Sequence, residues 1–120
     1  MTYRLGIIER QPLMVAGLEA FLGLTGRYEV AWHTGSLQDA ARRAKSDPPD
    51  LMLIGEAFSA PAVAGKLRNI LKQSLTRVVM WGPDLSERQR QECLRCGLHG
   101  VIDKTAGEDE MLSVVVFGSE

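Results

Sequence analysis

Pro49-Asp50-Leu51-Met52-Leu53-Ile54-Gly55-Glu56 decides how this chain folds. Four consecutive apolar residues, opened by Pro-Asp and closed by glycine, do not alternate as a half-solvated strand does. They fit a strand covered by helices on both faces, as in a parallel sheet. Working outward, Leu5 to Ile8 and Val78 to Trp81 have the same uninterrupted character. Tyr28 to Trp32 and Gly100 to Ile102 add two further short runs.

Helical patterns separate the runs. Pro12 suits the first turn of a helix that turns Leu18, Phe21 and Leu22 inward. Ser36 is placed to cap a second helix with Leu37, Ala40, Ala41 and Ala44 on one side. Val63, Leu67, Ile70 and Leu71 mark a third. Ser86 and Gln89 have the spacing of a capping box, and Gly97 provides a stop for that fourth helix. A fifth begins near Gly107, with Glu108, Asp109 and Glu110 in its first turn and Met111, Leu112, Val114 and Val115 inward. Strand and helix alternate five times. The pattern predicts one domain over residues 1–120, an α/β doubly wound five-stranded parallel sheet flanked by five helices. Right-handed crossovers then bring the ends of the strands to one rim, where such folds carry their sites.

Composition excludes several classes of function. The 14 basic and 15 acidic residues nearly cancel, at a formal charge of −1, leaving no electrostatic footprint for nucleic acid or an anionic membrane. Arg42, Arg43 and Lys45 read as the solvated face of the second helix. No apolar stretch approaches the roughly 20 residues that span a bilayer, and the N-terminus lacks a signal-peptide layout. A cytoplasmic protein without membrane contact is expected. Cys93 and Cys96 form a single C-x-x-C that neither His33 nor His99 completes as a zinc set. Both thiols are expected to pack at the helix base, and both histidines to lie at strand edges. Gly17, Gly23 and Gly26 form no phosphate-cradling G-x-G-x-x-G. No metal and no cofactor is called for.

The rim then carries Glu9, Arg10, Gln11 and Pro12 after the first strand, and Gly55 and Glu56 after the third. Trp81, Gly82, Pro83 and Asp84 end the fourth strand, and Asp103, Lys104 and Thr105 the fifth. With the segments Ile7 to Leu18, Pro49 to Ile54 and Gly97 to Lys104, this order resembles the receiver domains of two-component response regulators. The resemblance covers essentially the whole chain and is strongest to receivers that precede LuxR-type DNA-binding domains. It implies a flavodoxin-like receiver fold with strand order 2-1-3-4-5.

It also implies a pocket, and here the sequence departs from the family. Where the family has two acidic residues that help bind Mg²⁺, this chain has Glu9 and Arg10. The phosphate-accepting Asp corresponds to Gly55, the hydroxyl residue to Gly82, and the aromatic switch residue to Val101. The pocket lysine survives as Lys104. An aspartyl-phosphate needs a carboxylate nucleophile, which glycine cannot supply. Mg²⁺ is usually held by one or two carboxylates and phosphate oxygens, and a guanidinium that never loses its charge opposes it. Arg10 is expected to take the vacated metal position and pair with Glu9 or Glu56. Trp81 is expected to fill the space left by Gly55 and Gly82, the alternative being stacking on a planar ligand. Asp84 and Asp103 read as turn residues.

The expected function is therefore that of a pseudo-receiver. It would be a phosphorylation-independent, non-enzymatic signalling module with no catalytic residue, regulating a LuxR-type transcription factor. Two alternatives stand beside it: a phosphoacceptor using Glu56, and a small-molecule sensor using the degenerate pocket. The partner is a protein or a second copy, and DNA is reached only through an output domain beyond residue 120. The interface is expected on the last two helices and the fifth strand, where Glu87, Arg88, Arg90, Glu92 and Arg95 offer mixed charge.

Overall fold

The five apolar runs become five parallel strands in the computed structural model, which describes residues 2–55, 57–73, 75–82 and 86–103. In chain order these are β1 (Tyr3–Ile8), α1 (Pro12–Thr25), β2 (Tyr28–Thr34), α2 (Leu37–Ser46), β3 (Leu51–Gly55), α3 (Ala60–Gln73), β4 (Arg77–Gly82), α4 (Glu87–Arg95) and β5 (Gly100–Asp103). The sheet order is β2-β1-β3-β4-β5, all parallel, as expected. The helix expected from Gly107 lies outside the described residues.

The continuous apolar strands are explained by two cores. On one face Val15, Leu18 and Leu22 of α1 pack with Leu5, Ile7, Leu51, Leu53, Val79, Trp81 and Ile102. On the other, Ala40 and Ala44 of α2, Val63, Leu67 and Ile70 of α3 and Cys93 of α4 cover Ile8, Met52, Ile54, Val78 and Met80. Successive strand residues point to opposite faces, so β3 must be apolar at every position to satisfy both.

The helix signals hold with one correction. Ser36 Oγ accepts from the amide of Asp39 at 3.2 Å. Ser86 Oγ accepts from the Gln89 amide while Gln89 Oε1 accepts from the Ser86 amide, closing the capping box. Gly97 adopts φ 101°, which favours glycine, directly after α4. The correction concerns Phe21, which is exposed where it was expected inward; Val15 joins Leu18 and Leu22 instead. Because α1 is apolar nearly all round, its pattern does not reveal which side meets the sheet.

Edge strand β2 shifts register against β1 between Leu5 and Gly6. The Trp32 indole lies over Gly6, where a Cβ would come within 2.5 Å of the ring. Its Nε1 donates to the Asp47 carbonyl at 3.2 Å.

Candidate functional site: a rim closed by its own carboxylate

The β1–β3 register pairs Ile8 with Ile54, so Glu9 and Gly55 leave the sheet beside each other. Glu9 is only 7% exposed, although it carries a carboxylate. A buried carboxylate needs hydrogen-bond donors. Its Oε1 accepts from the backbone amide of Gln11 at 3.1 Å, and its own amide donates to the Thr34 carbonyl at 2.9 Å. Its Oε2 occupies the space that a side chain at position 55 would enter: a Cβ built on Gly55 would overlap that oxygen. The chain then curls back, with the Phe58 amide donating to the Gly55 carbonyl at 3.3 Å.

One expectation changes here. Gly55 is opposite Trp81 across the β3–β4 pair, and Trp81 is buried in the α1-side core, but the Glu9 carboxylate takes the space over Gly55. Arg10 turns onto an aromatic ring, its guanidinium carbon 4.5 Å from the Phe58 centroid. Among the described residues no ion pair joins Arg10 to Glu9, and the other expected partner, Glu56, lies outside them. Phe58 had no signal in the sequence, because only the folded loop brings it under Arg10.

At the other positions, Gly82 ends β4 beside Asp103 of β5. Val101 pairs with Met80 and packs, partly buried, on the α2–α4 side. Glu56, Asp84 and Lys104 lie outside the described residues. Glu9 and Arg10 also line a cleft of about 290 Å³ with Pro12, Glu19, His33 and Thr34. Across it, His33 Nε2 stands 3.9 Å from Glu19. A second cleft, about 270 Å³, lies between Phe58 and Ser59 on one wall and Gln89, Glu92 and Cys93 of α4 on the other. Thus Glu92 faces the start of α3, Arg90 is partly buried, and Arg88 and Arg95 are exposed.

The remaining candidates are structural. Cys93 is buried and Cys96 partly so, and burial, then the neighbouring Glu92 charge, pushes the Cys93 thiol up. Such a thiol is a poor nucleophile. His33 lies in edge strand β2. His99, just before β5, accepts the Val78 amide at Nδ1 (3.0 Å) and donates its own amide to the Val78 carbonyl (2.8 Å). Burial, reinforced by Arg77, holds its imidazole below the usual histidine range. Arg42 and Arg43 both pair with Asp39. The Thr34 hydroxyl and these guanidinium groups bring that carboxyl down to about 2. Among the described residues no three His, Cys, Asp or Glu side chains gather as metal ligands. None of the helices among them is long and apolar enough to cross a membrane.

No family model matches the chain. It is 32% identical over 100 residues to protein-glutamate methylesterase/protein-glutamine glutaminase 2 of Cupriavidus metallidurans, an alignment covering 83% of this chain and 29% of that protein. It is 25% identical over 113 residues to "Probable transcriptional regulatory protein SgaR" of Hyphomicrobium methylovorum, covering 92% of this chain and 53% of that one. The chain thus spans from under a third to about half the length of these relatives. Among solved structures, the signal receiver domain of NarL from Mycobacterium tuberculosis superposes with a TM-score of 0.79 at 21% identity, over 98% of this chain and 96% of that one. A LuxR-family two-component response regulator from Aurantimonas sp. SI85-9A1 gives 0.81 at 15% identity, over 99% and 86%. With five parallel strands in the order β2-β1-β3-β4-β5, this chain has the flavodoxin-like receiver fold of its response-regulator neighbours.

Proposed function

We propose that this chain is a pseudo-receiver: a regulatory module that signals through protein contacts without accepting a phosphoryl group, attached to a LuxR-type DNA-binding output. One observation carries the reading. The position corresponding to the acceptor is Gly55, and the space of its missing side chain is taken by the buried Glu9 carboxylate. An incoming phosphoryl group would find no nucleophile there and would meet a negative charge already in place. Arg10, in place of a second acidic ligand, is stacked on Phe58 and adds positive charge where Mg²⁺ would need oxygen. The LuxR-type assignment draws on the resemblance of the sequence and on the LuxR-family neighbour. DNA contact then belongs to the output domain, and control of that output passes to a bound partner, to expression level or to a fixed conformation.

The test is incubation with a small acyl-phosphate donor and Mg²⁺, read by intact mass. An unchanged mass is expected. A gain of one phosphoryl group overturns the proposal, and mapping it to Glu56 would make that residue the acceptor. Mg²⁺ is also expected to leave Trp81 fluorescence unchanged at millimolar levels, and a saturable quench counts against the reading.

A further inference from the structure

We infer that Cys93, Cys96 and Met80 form a binding site for a soft monovalent cation, Cu⁺. The inference is independent of the state of the rim. Helical geometry runs on through Cys96, whose amide donates to the Glu92 carbonyl at 3.0 Å and whose backbone stays at φ −77° and ψ −6°. Residues three apart in a helix share a face, with Cβ atoms about 5–6 Å from each other. That face is the inner one. Cys93 is 3% exposed and Cys96 packs, partly buried, against the same core, whereas Leu94 between them is 58% exposed. The backbone pins this turn. The Leu98 amide donates to the Cys93 carbonyl and the Gly97 amide to the Leu94 carbonyl, both at 3.1 Å, with Gly97 at φ 101°. This double closure is the Schellman ending of a helix, and it holds both thiols to one side.

A third sulfur comes from the sheet. Met80 of β4 is buried in the same core, and it lines with Cys93 the cleft of about 270 Å³ between α4 and the start of α3. The cleft gives an ion its way in, and the flexible thioether can adjust to it. Thiolate and thioether ligands together select Cu⁺. Two metal–thiolate bonds of about 2.3 Å each suit thiols one helical turn apart. Zinc is poorly served, since it takes four ligands from thiolate, imidazole and carboxylate. Among the described residues no three such side chains gather, and His99 gives its Nδ1 to the Val78 amide. On binding, two S–H protons leave to solvent as two S–Cu bonds form, and the copper stays Cu⁺. Burial and the nearby Glu92 charge oppose a bare thiolate at Cys93. A cation between the sulfurs removes that opposition, so a thiol that is a poor nucleophile is still a ligand.

Anaerobic titration of the whole reduced chain with Cu⁺, against a competing chelator, tests this. One Cu⁺ per chain is expected to leave the chelator. The urea midpoint is expected to rise, because Met80 joins the two thiols only in the folded chain and an ion that prefers the folded state stabilises it. Cys96→Ala, which leaves Cys93 in the core, is expected to abolish both effects, and so is Cys93→Ala. Met80→Leu, a swap that nearly conserves volume, is expected to keep uptake through the pair and to lose most of the rise in midpoint. Zn²⁺ is expected to leave the midpoint unchanged. A chain that takes no Cu⁺ overturns the inference. Uptake without a rise in midpoint also overturns it, since the C-x-x-C pair would then bind as it does in an unfolded chain. So does a Met80→Leu chain that responds like the wild type, or an equal rise with Zn²⁺.

Discussion

Helices α1 and α4 lie on opposite faces of the sheet and are held to it by different means. Helix α1 buries three large side chains, Val15, Leu18 and Leu22, while its N-cap residue Gln11 makes no side-chain capping bond. Helix α4 buries only Cys93, but it opens with a complete capping box and is followed by Gly97 at φ 101°. Packing fixes the first and local hydrogen bonding the second. Most helical stability in proteins comes from burying an apolar face, so a helix with little to bury depends on its ends. The outer surfaces differ accordingly. Helix α1 shows leucine to solvent, whereas α4 shows Glu87, Arg88 and Arg95, with Leu94 as its one large apolar side chain outside.

The largest effect should fall on the packed helix. Leu22→Ala, at a site 1% exposed, is expected to cost about 2–5 kcal/mol in urea unfolding, whereas Leu24→Ala on the solvent side should cost under about 0.5. Equal costs would mean that α1 is not oriented as described.

Next comes a test of the caps. Ser86→Ala is expected to lose about 1 kcal/mol and Gln11→Ala about a few tenths. A Gln11 variant as damaging as the Ser86 variant would erase the contrast between the two helices.

The smallest effect is expected just beyond α4. His99 is held neutral by burial and by Arg77, and its Nδ1 must stay unprotonated to accept the Val78 amide. Its folded value is lowered, so between that value and the ordinary 6.5 the unfolded chain binds more protons. The contribution of His99 is therefore complete above about 6.5 and declines as pH falls below it. Stability measured against pH should show this decline in the wild type and a flatter profile in His99→Gln. Identical profiles would mean that the imidazole does not titrate with folding.

The strands were legible because a sheet covered on both faces demands unbroken apolar runs, and Leu51 to Ile54 could be little else. Ser36, Ser86 and Gly97 were legible because caps are local chemistry. Phe21 was misplaced because α1 is apolar on both sides, so periodicity carries no direction there. At the rim, the residue types Glu9, Arg10, Gly55 and Gly82 could be read, but their contacts could not. The meeting of Glu9 with Gly55, far apart in the chain, is set by the β1–β3 register, and the seat of Arg10 on Phe58 by the curl of a loop. Neither leaves a trace in local sequence.

The Glu9–Gly55 contact also bears on which side chains position 55 can hold. Placing an aspartate at 55 by one substitution would drive its Cβ into the Glu9 carboxylate and set two acidic side chains together in a buried place. Glu9 would first have to find another seat. On the proposed reading, a single substitution at 55 is therefore expected to cost stability and to supply no acceptor unless Glu9 changes with it.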